Sequence, residues 1–291
     1  MDVIGIDIGG TSVKLAALDR DGKVLWTAHS AKYHRPDAGE LAAAVRETAG
    51  GRADPGGIPG VAVGLCVPGL LNEDKTVVRQ SVNVPGLNGA RLDDLVAAAL
   101  GARPAAVSVT TDAYATAFDL YQTLRPQGRL FLLAIGTGVG AAVLDDGRPL
   151  HVDGESPGHF GQMDVSVEGH PVVGPDGGAG SLEGYVSAAA LAARYGPGNG
   201  WLTRMGPEDP PLRALARAIR IAHALYRPHH VFLAGGIGIR LRPFVVDLQR
   251  IVAHQLTGIS RPDATLSTAH SDFHAAQGAA RLALMPVPPA H

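Results

Sequence analysis

A single cysteine, Cys66, stands in a chain of 291 residues, so no internal disulfide can form. Such a chain suits a reducing compartment, and a cytoplasmic setting is expected. No apolar run approaches the roughly 20 residues that a membrane span needs. The opening "MDVIGIDI" enters a strand pattern at once, with neither a basic segment nor a cleavage site, so no signal peptide is expected. Positive charge is not in excess either: the net charge is -2, which gives no footprint for nucleic acid. No GxxxxGK followed by Ser or Thr occurs, which excludes a P-loop. "LAGGIG" (233–238) lacks the GxGxxG spacing and the acidic partner of the dinucleotide fingerprint.

What is present is apolar and glycine-punctuated. With 46% hydrophobic and 18% charged residues, the chain has ample material for a globular core, and its length accommodates two ordinary domains. Strands are predicted over 2–8, 12–19, 23–29, 60–67, 105–110 and 230–236. Helices are predicted over 38–49, 91–100, 112–124, 211–226, 242–257 and 273–284. Asp21-Gly22 reads as a hairpin turn. Glycine- and proline-rich loops at 169–180 and 196–211 read as insertions.

One pattern occurs twice. "IGGTSVKLAALDRDGKVL" (8–25) is followed much later by "IGTGVGAAVLDDGRPL" (135–150). Each has an apolar strand, a Gly/Thr turn, a second apolar strand and an Asp-Gly turn. The spacing is far too long for a solenoid. It predicts two similar α/β domains facing each other across a cleft, one over 1–112 plus 273–291 and the other over 113–272.

The turns carry candidate chemistry. In "DIGGTSVK" (7–14), Gly9 and Gly10 let backbone amides approach an anion, Thr11 adds a hydroxyl, and Lys14 adds a cation. Asp7, at the end of a strand, can hold Mg²⁺ directly or through water. A plain glycine hairpin explains the same residues. The second turn, Gly136-Thr137-Gly138, favours the phosphate reading, because two such turns can grip one polyphosphate. Gly235 and Gly236, between a strand and a helix, can seat a nucleoside or its phosphate. In "VSVTTDAYAT" (107–116), Asp112 opens a helix. It reads as a helix cap, as a catalytic base, or as both.

Together, "DIGGTSVK", "VPG" (67–69), "NVPGLNG" (83–89), "TDAYATA" (111–117), "GTGVGAAVLDDG" (136–147), the loop 154–162, "GSLEGYVS" (180–187), "LAGGIG" and "GAARLAL" (278–284) resemble the ROK family of sugar kinases and repressors, within the actin-like ATPase superfamily. They fall in family order over nearly the whole chain. The resemblance implies a two-domain actin-like ATPase (ribonuclease H-like) α/β fold. It also implies phosphorylation of a sugar or sugar derivative by ATP with Mg²⁺. Asp112 then matches the general base, and Asp7, Gly10, Thr11 and 136–138 match the metal and phosphate elements. Gly69, Asn83 and Glu183 match sugar contacts. A homodimer is expected. No DNA-binding helix-turn-helix is expected, nor any nucleic-acid or membrane partner.

Three departures from the family pattern bear on function. Where the family has Gly-Glu-x-Gly-His, this chain reads Gly158-His159-Phe160-Gly161-Gln162. Where the family's zinc motif has cysteines, Gly174, Asp176 and Ser181 stand, so no zinc site is expected. The Asn usually before the base is Thr111. His159 and Gln162 are therefore expected to line a rebuilt sugar pocket together with Thr111. Gaining donors and losing a carboxylate, that pocket should favour a substrate presenting an acceptor, such as an acetamido oxygen. Two other readings compete: a catalytically idle sugar sensor that keeps the fold, and a kinase that takes polyphosphate as donor.

Overall fold

The computed structural model describes residues 2–53, 56–81, 84–150, 152, 156–175, 177–261 and 263–285. The chain divides into two compact units, 1–119 with 273–291 and 120–272. The division falls after Asp119, inside a helix.

The first unit contains β1 (Val3–Ile8), β2 (Val13–Leu18), β3 (Val24–His29), α1 (Ala38–Ala49), β4 (Ala62–Cys66), β5 (Leu70–Leu71), β6 (Val78–Gln80), α2 (Leu92–Leu100), β7 (Ala106–Thr110) and the start of α3 (Asp112–Leu124). Its main sheet has the order β3-β2-β1-β4-β7. The two hairpin pairs are antiparallel, and β1-β4 and β4-β7 are parallel. The central strand β1 is buried at all six positions, as expected where both faces are covered, whereas the edge strand β3 alternates half-buried and exposed. Helix α1 starts with a capping box between Asp37 and Glu40 and ends on Gly50 in the left-handed conformation.

The second unit repeats the plan. It contains β8 (Arg129–Ile135), β9 (Val139–Asp145), β10 (Arg148–Pro149), α4 (Leu182–Val186), α5 (Ala188–Tyr195), α6 (Trp201–Arg204), α7 (Pro210–Tyr226), β11 (His230–Ala234), α8 (Gly235–Arg240), α9 (Val245–Gln255) and β12 (Thr265–Thr268). The sheet order β10-β9-β8-β11-β12 matches the first sheet strand for strand, with the same mixture of antiparallel and parallel pairs. The β9-β10 hairpin turns through Asp146 and Gly147, both with positive φ, as a two-residue hairpin requires. Leu212, Leu215 and Ile219 on α7 pack into a core with Phe131, Leu133, Val231 and Leu248.

The last helix, α10 (His274–Ala283), returns to the first unit. It lies directly on the sheet backbone. A Cβ at Gly5 would sit 1.8 Å from the carbonyl oxygen of Ala276, and one at Gly64 would sit 1.9 Å from that of Ala279. Only glycine in β1 and β4 permits that approach.

Candidate functional site

In the first unit the site is built on the ends of β1, β2 and β7. The antiparallel register of β1 and β2 sets Asp7 opposite Lys14. Lys14 Nζ lies 3.4 Å from Asp7 Oδ2, and Asp7 is only 5% exposed. Between them runs the 9–12 turn, closed by Gly9 N donating to the Ser12 carbonyl at 3.0 Å. The turn is backed by the segment after β3. Tyr33 N donates to the Thr11 carbonyl at 2.9 Å, and the Tyr33 hydroxyl donates to the Gly9 carbonyl at 2.6 Å.

Helix α3 presents Asp112. The cap is Thr111, one residue earlier: its Oγ1 accepts from Tyr114 N at 3.3 Å and its carbonyl accepts from Ala115 N at 3.0 Å. Asp112 is the first helical residue, and Oδ1 accepts from Ala113 N at 2.7 Å. Thr111 thus takes the capping role, and Asp112 commits Oδ1 to the Ala113 amide, while Oδ2 accepts no bond from the helix start among the described residues. Asp112 is reachable by solvent, yet crowding by surrounding protein pushes its pKa up. The charge of Asp7 adds to that rise, while Ala113 N–H and Lys14 oppose it. The group is therefore held closer to neutral pH than an ordinary carboxylate, which suits a proton acceptor.

Asp7 and Asp112 are two hard oxygen donors whose like charges disfavour each other, with one ammonium nearby. Asp7 is a hard oxygen donor of the kind that suits a divalent cation such as Mg²⁺, which leaves Asp112 as the proton acceptor. Gly69 sits at φ +115° beside the Gln80 backbone, so backbone geometry alone accounts for glycine there. Asn83 lies outside the described residues, as does Asp176.

In the second unit the 136–138 turn joins β8 to β9. Gly136 N donates to the Gly138 carbonyl at 2.9 Å, and the Gly136 carbonyl accepts from Ala188 N at 2.8 Å. Thr137, at the tip, is exposed. Glu183, on α4, reaches this turn: its Oε2 accepts from Val139 N at 3.1 Å. A Cβ on Gly138 would meet both Glu183 oxygens at 3.2 Å, and one on Gly161 would meet Oε2 at 3.1 Å. Glu183 therefore joins the phosphate-type turn to the 158–162 loop, a link that the sequence did not suggest. His159 precedes the short 3-10 turn Phe160–Gln162 and Gln162 ends it, and both are exposed. Gly235, at φ +75°, packs against the Ile135 backbone where α8 begins, and Gly236 follows it, its carbonyl accepting from Arg240.

The region of the lost cysteines is held by hydrogen bonds. Gly174 N donates to Gly178 O at 2.8 Å and Gly180 N to Val172 O at 2.9 Å. Ser181 caps α4 through Gly184 N. The Tyr185 hydroxyl accepts from Val167 N and donates to the His170 carbonyl.

The repeated five-stranded α/β plan is shared by solved structures. A glucokinase of Streptomyces griseus, solved in complex with glucose and AMPPNP, aligns with a TM-score of 0.72 at 21% identity, over 96% of this chain and 98% of its own. A hexokinase of Thermus thermophilus aligns with a TM-score of 0.67 at 22% identity, over 96% and 97%. The chain belongs to the ROK family, whose model matches residues 3–285. In sequence, the N-acetyl-D-glucosamine kinase of Erwinia tasmaniensis is 28% identical over 314 residues, covering 96% of this chain and 98% of that protein.

Proposed function

We propose that this chain is a kinase that transfers the terminal phosphoryl group of ATP to a hydroxyl of an N-acetylated amino sugar, with Asp112 as the general base. The observation that carries the reading is Asp112 itself. It is fixed at the first turn of α3, relieved of capping by Thr111, and raised in pKa by crowding and Asp7. A carboxylate so placed takes the proton from an attacking hydroxyl. Phosphoryl transfer needs little else from a protein beyond positioning and charge compensation.

The 9–12 turn and Lys14 of the first unit meet phosphate oxygens, and the 136–138 turn of the second unit has the same Gly/Thr chemistry. Asp7 would hold Mg²⁺ directly or through water, and the ion would neutralise charge on the phosphates. The acetamido preference rests on two supports. His159 and Gln162 offer hydrogen-bond donors where a carboxylate would only accept, and the Erwinia relative is named for N-acetyl-D-glucosamine. Zinc has no part in this reading, and elemental analysis of protein purified without added metal should find none in stoichiometric amount.

The test is a coupled ADP-release screen over hexoses, amino sugars, their N-acetyl forms and polyols, with polyphosphate as a second donor. Turnover with ATP and an N-acetylated sugar is the expected result. No turnover with any sugar would favour an idle sensor, and turnover only with polyphosphate would replace the donor.

A further inference from the structure

Tyr33 lies outside every motif that marks the site, yet it makes two hydrogen bonds to the phosphate-type turn. Its amide and its hydroxyl occupy the carbonyls of Thr11 and Gly9. The strand end around it adds two more ties, since Ser30 N donates to the Val13 carbonyl and Val13 N donates to Ser30 Oγ, both at 2.9 Å. The Tyr33 ring packs against the core of the first unit, which fixes where the hydroxyl can reach. The carbonyls of Gly9, Thr11 and Ser12 are thus engaged, the first two by Tyr33 and the third by Gly9 N. The amides of Gly10 and Thr11 donate to no backbone acceptor among the described residues. A turn whose carbonyls are held back and whose successive amides stay free is an anion cradle.

We infer that Tyr33 is a positioning residue for the phosphates of the nucleotide, acting by clamping Gly9 and Thr11 so that the turn's amides face the anion. This rests on the kinase reading of the same site. The hydroxyl is a dependable donor, because burial first and the charge of Asp7 second hold its pKa above the usual phenol range. The deprotonated form, which could not donate to Gly9, is therefore scarce throughout the working pH range.

The clamp has a signature that general damage would not share. Its effect should scale with phosphate, not with the nucleoside or the sugar. Tyr33→Phe in the full chain keeps the ring packing and removes only the hydroxyl. Calorimetry should show AMPPNP with Mg²⁺ binding about 3–10-fold more weakly, the range expected for one hydrogen bond. Adenosine should bind unchanged, and the sugar KM should stay within about twofold. Unchanged AMPPNP affinity would overturn the inference, and so would an equal loss for adenosine. Tyr33→Ala, which also loses the packing, should weaken AMPPNP further while lowering the melting temperature. If Tyr33→Phe does not fold, the Ala variant's adenosine-to-AMPPNP ratio decides instead, and an unchanged ratio overturns the inference. Wild-type protein that binds AMPPNP but phosphorylates no sugar would overturn the acceptor half of the kinase reading, while Tyr33 would still answer through the nucleotide. Wild-type protein that binds no AMPPNP would overturn both.

Discussion

The Asp119 carboxylate on α3 lies 2.6 Å from Nδ1 of His274 on α10, and both residues are buried. Its other oxygen accepts from Arg281 Nε at 2.6 Å, and Arg281 also donates to the Gly22 carbonyl at 2.8 Å. Asp119 therefore ties the helix that carries Asp112 to the last helix and to the β2-β3 hairpin. Removing one member of a buried charged set leaves the others uncompensated, at a cost of about 3–5 kcal/mol. Asp119→Ala should destabilise the protein by about that amount in urea unfolding. A loss below about 1 kcal/mol would show that the set does not anchor α3.

Asp112→Asn should retain nucleotide binding and lose turnover by at least the 10²–10⁴-fold or so that general-base catalysis supplies. The same change should make the protein more stable near pH 7. The folded pKa of Asp112 lies above its unfolded value, so ionised Asp112 opposes folding. That penalty is complete above the raised pKa and fades as pH falls towards the ordinary carboxylate value. The wild-type rate should fall over the same window, as the base takes up a proton. Thermal melts and kcat/KM measured from pH 8 to pH 4.5 check both signs. A near-wild-type rate in Asp112→Asn would remove the residue from its role.

The 158–162 loop predicts a specificity change. His159→Glu with Gln162→His restores the carboxylate and the imidazole in the family's order. The double variant should gain glucose phosphorylation and lose activity on the native substrate. Both side chains are exposed, so stability should change by no more than about 0.5 kcal/mol. An unchanged substrate ranking would mean that the loop does not read the sugar.

His223 on α7 is buried in the second unit, and its Nδ1 has no partner among the described residues. Burial lowers its pKa. The unfolded chain therefore binds a proton that the folded chain refuses, and stability should drop as pH falls below about 6.5. His223→Leu should flatten that dependence. Melting temperatures from pH 8 to pH 5.5 for the two proteins decide it.

Much of this arrangement was legible in the sequence because it is local. The twin Gly/Thr turns, Asp7 at a strand end and Asp112 at a helix start each declare themselves within a few residues. The pattern also located α1, α2, α3, α7, α9 and α10 to within a few residues at either end. Thr111 was read as a replaced sugar contact, and its capping role emerged only from the geometry of Tyr114 N. β12 escaped notice because "TLST" is short and mostly polar, and its strand character comes from pairing with β11. Helices α5 and α6 fell in or beside a stretch read as loop, since glycines break the periodicity on either side of them. Tyr33, Asp119 and the Glu183 bridge were invisible for a common reason. Each acts through partners tens or hundreds of residues away, and a composition or a spacing carries no trace of such pairings.

The seating of α10 against Gly5 and Gly64 bears on how the chain is made. Residues 120–272 are complete in sequence before His274 leaves the ribosome, so the second unit can fold during synthesis. The first unit is translated earlier but must wait for its last helix. Until then the faces of β1 and β4 that α10 covers stay bare, a time window in which a chaperone or another nascent chain can reach them.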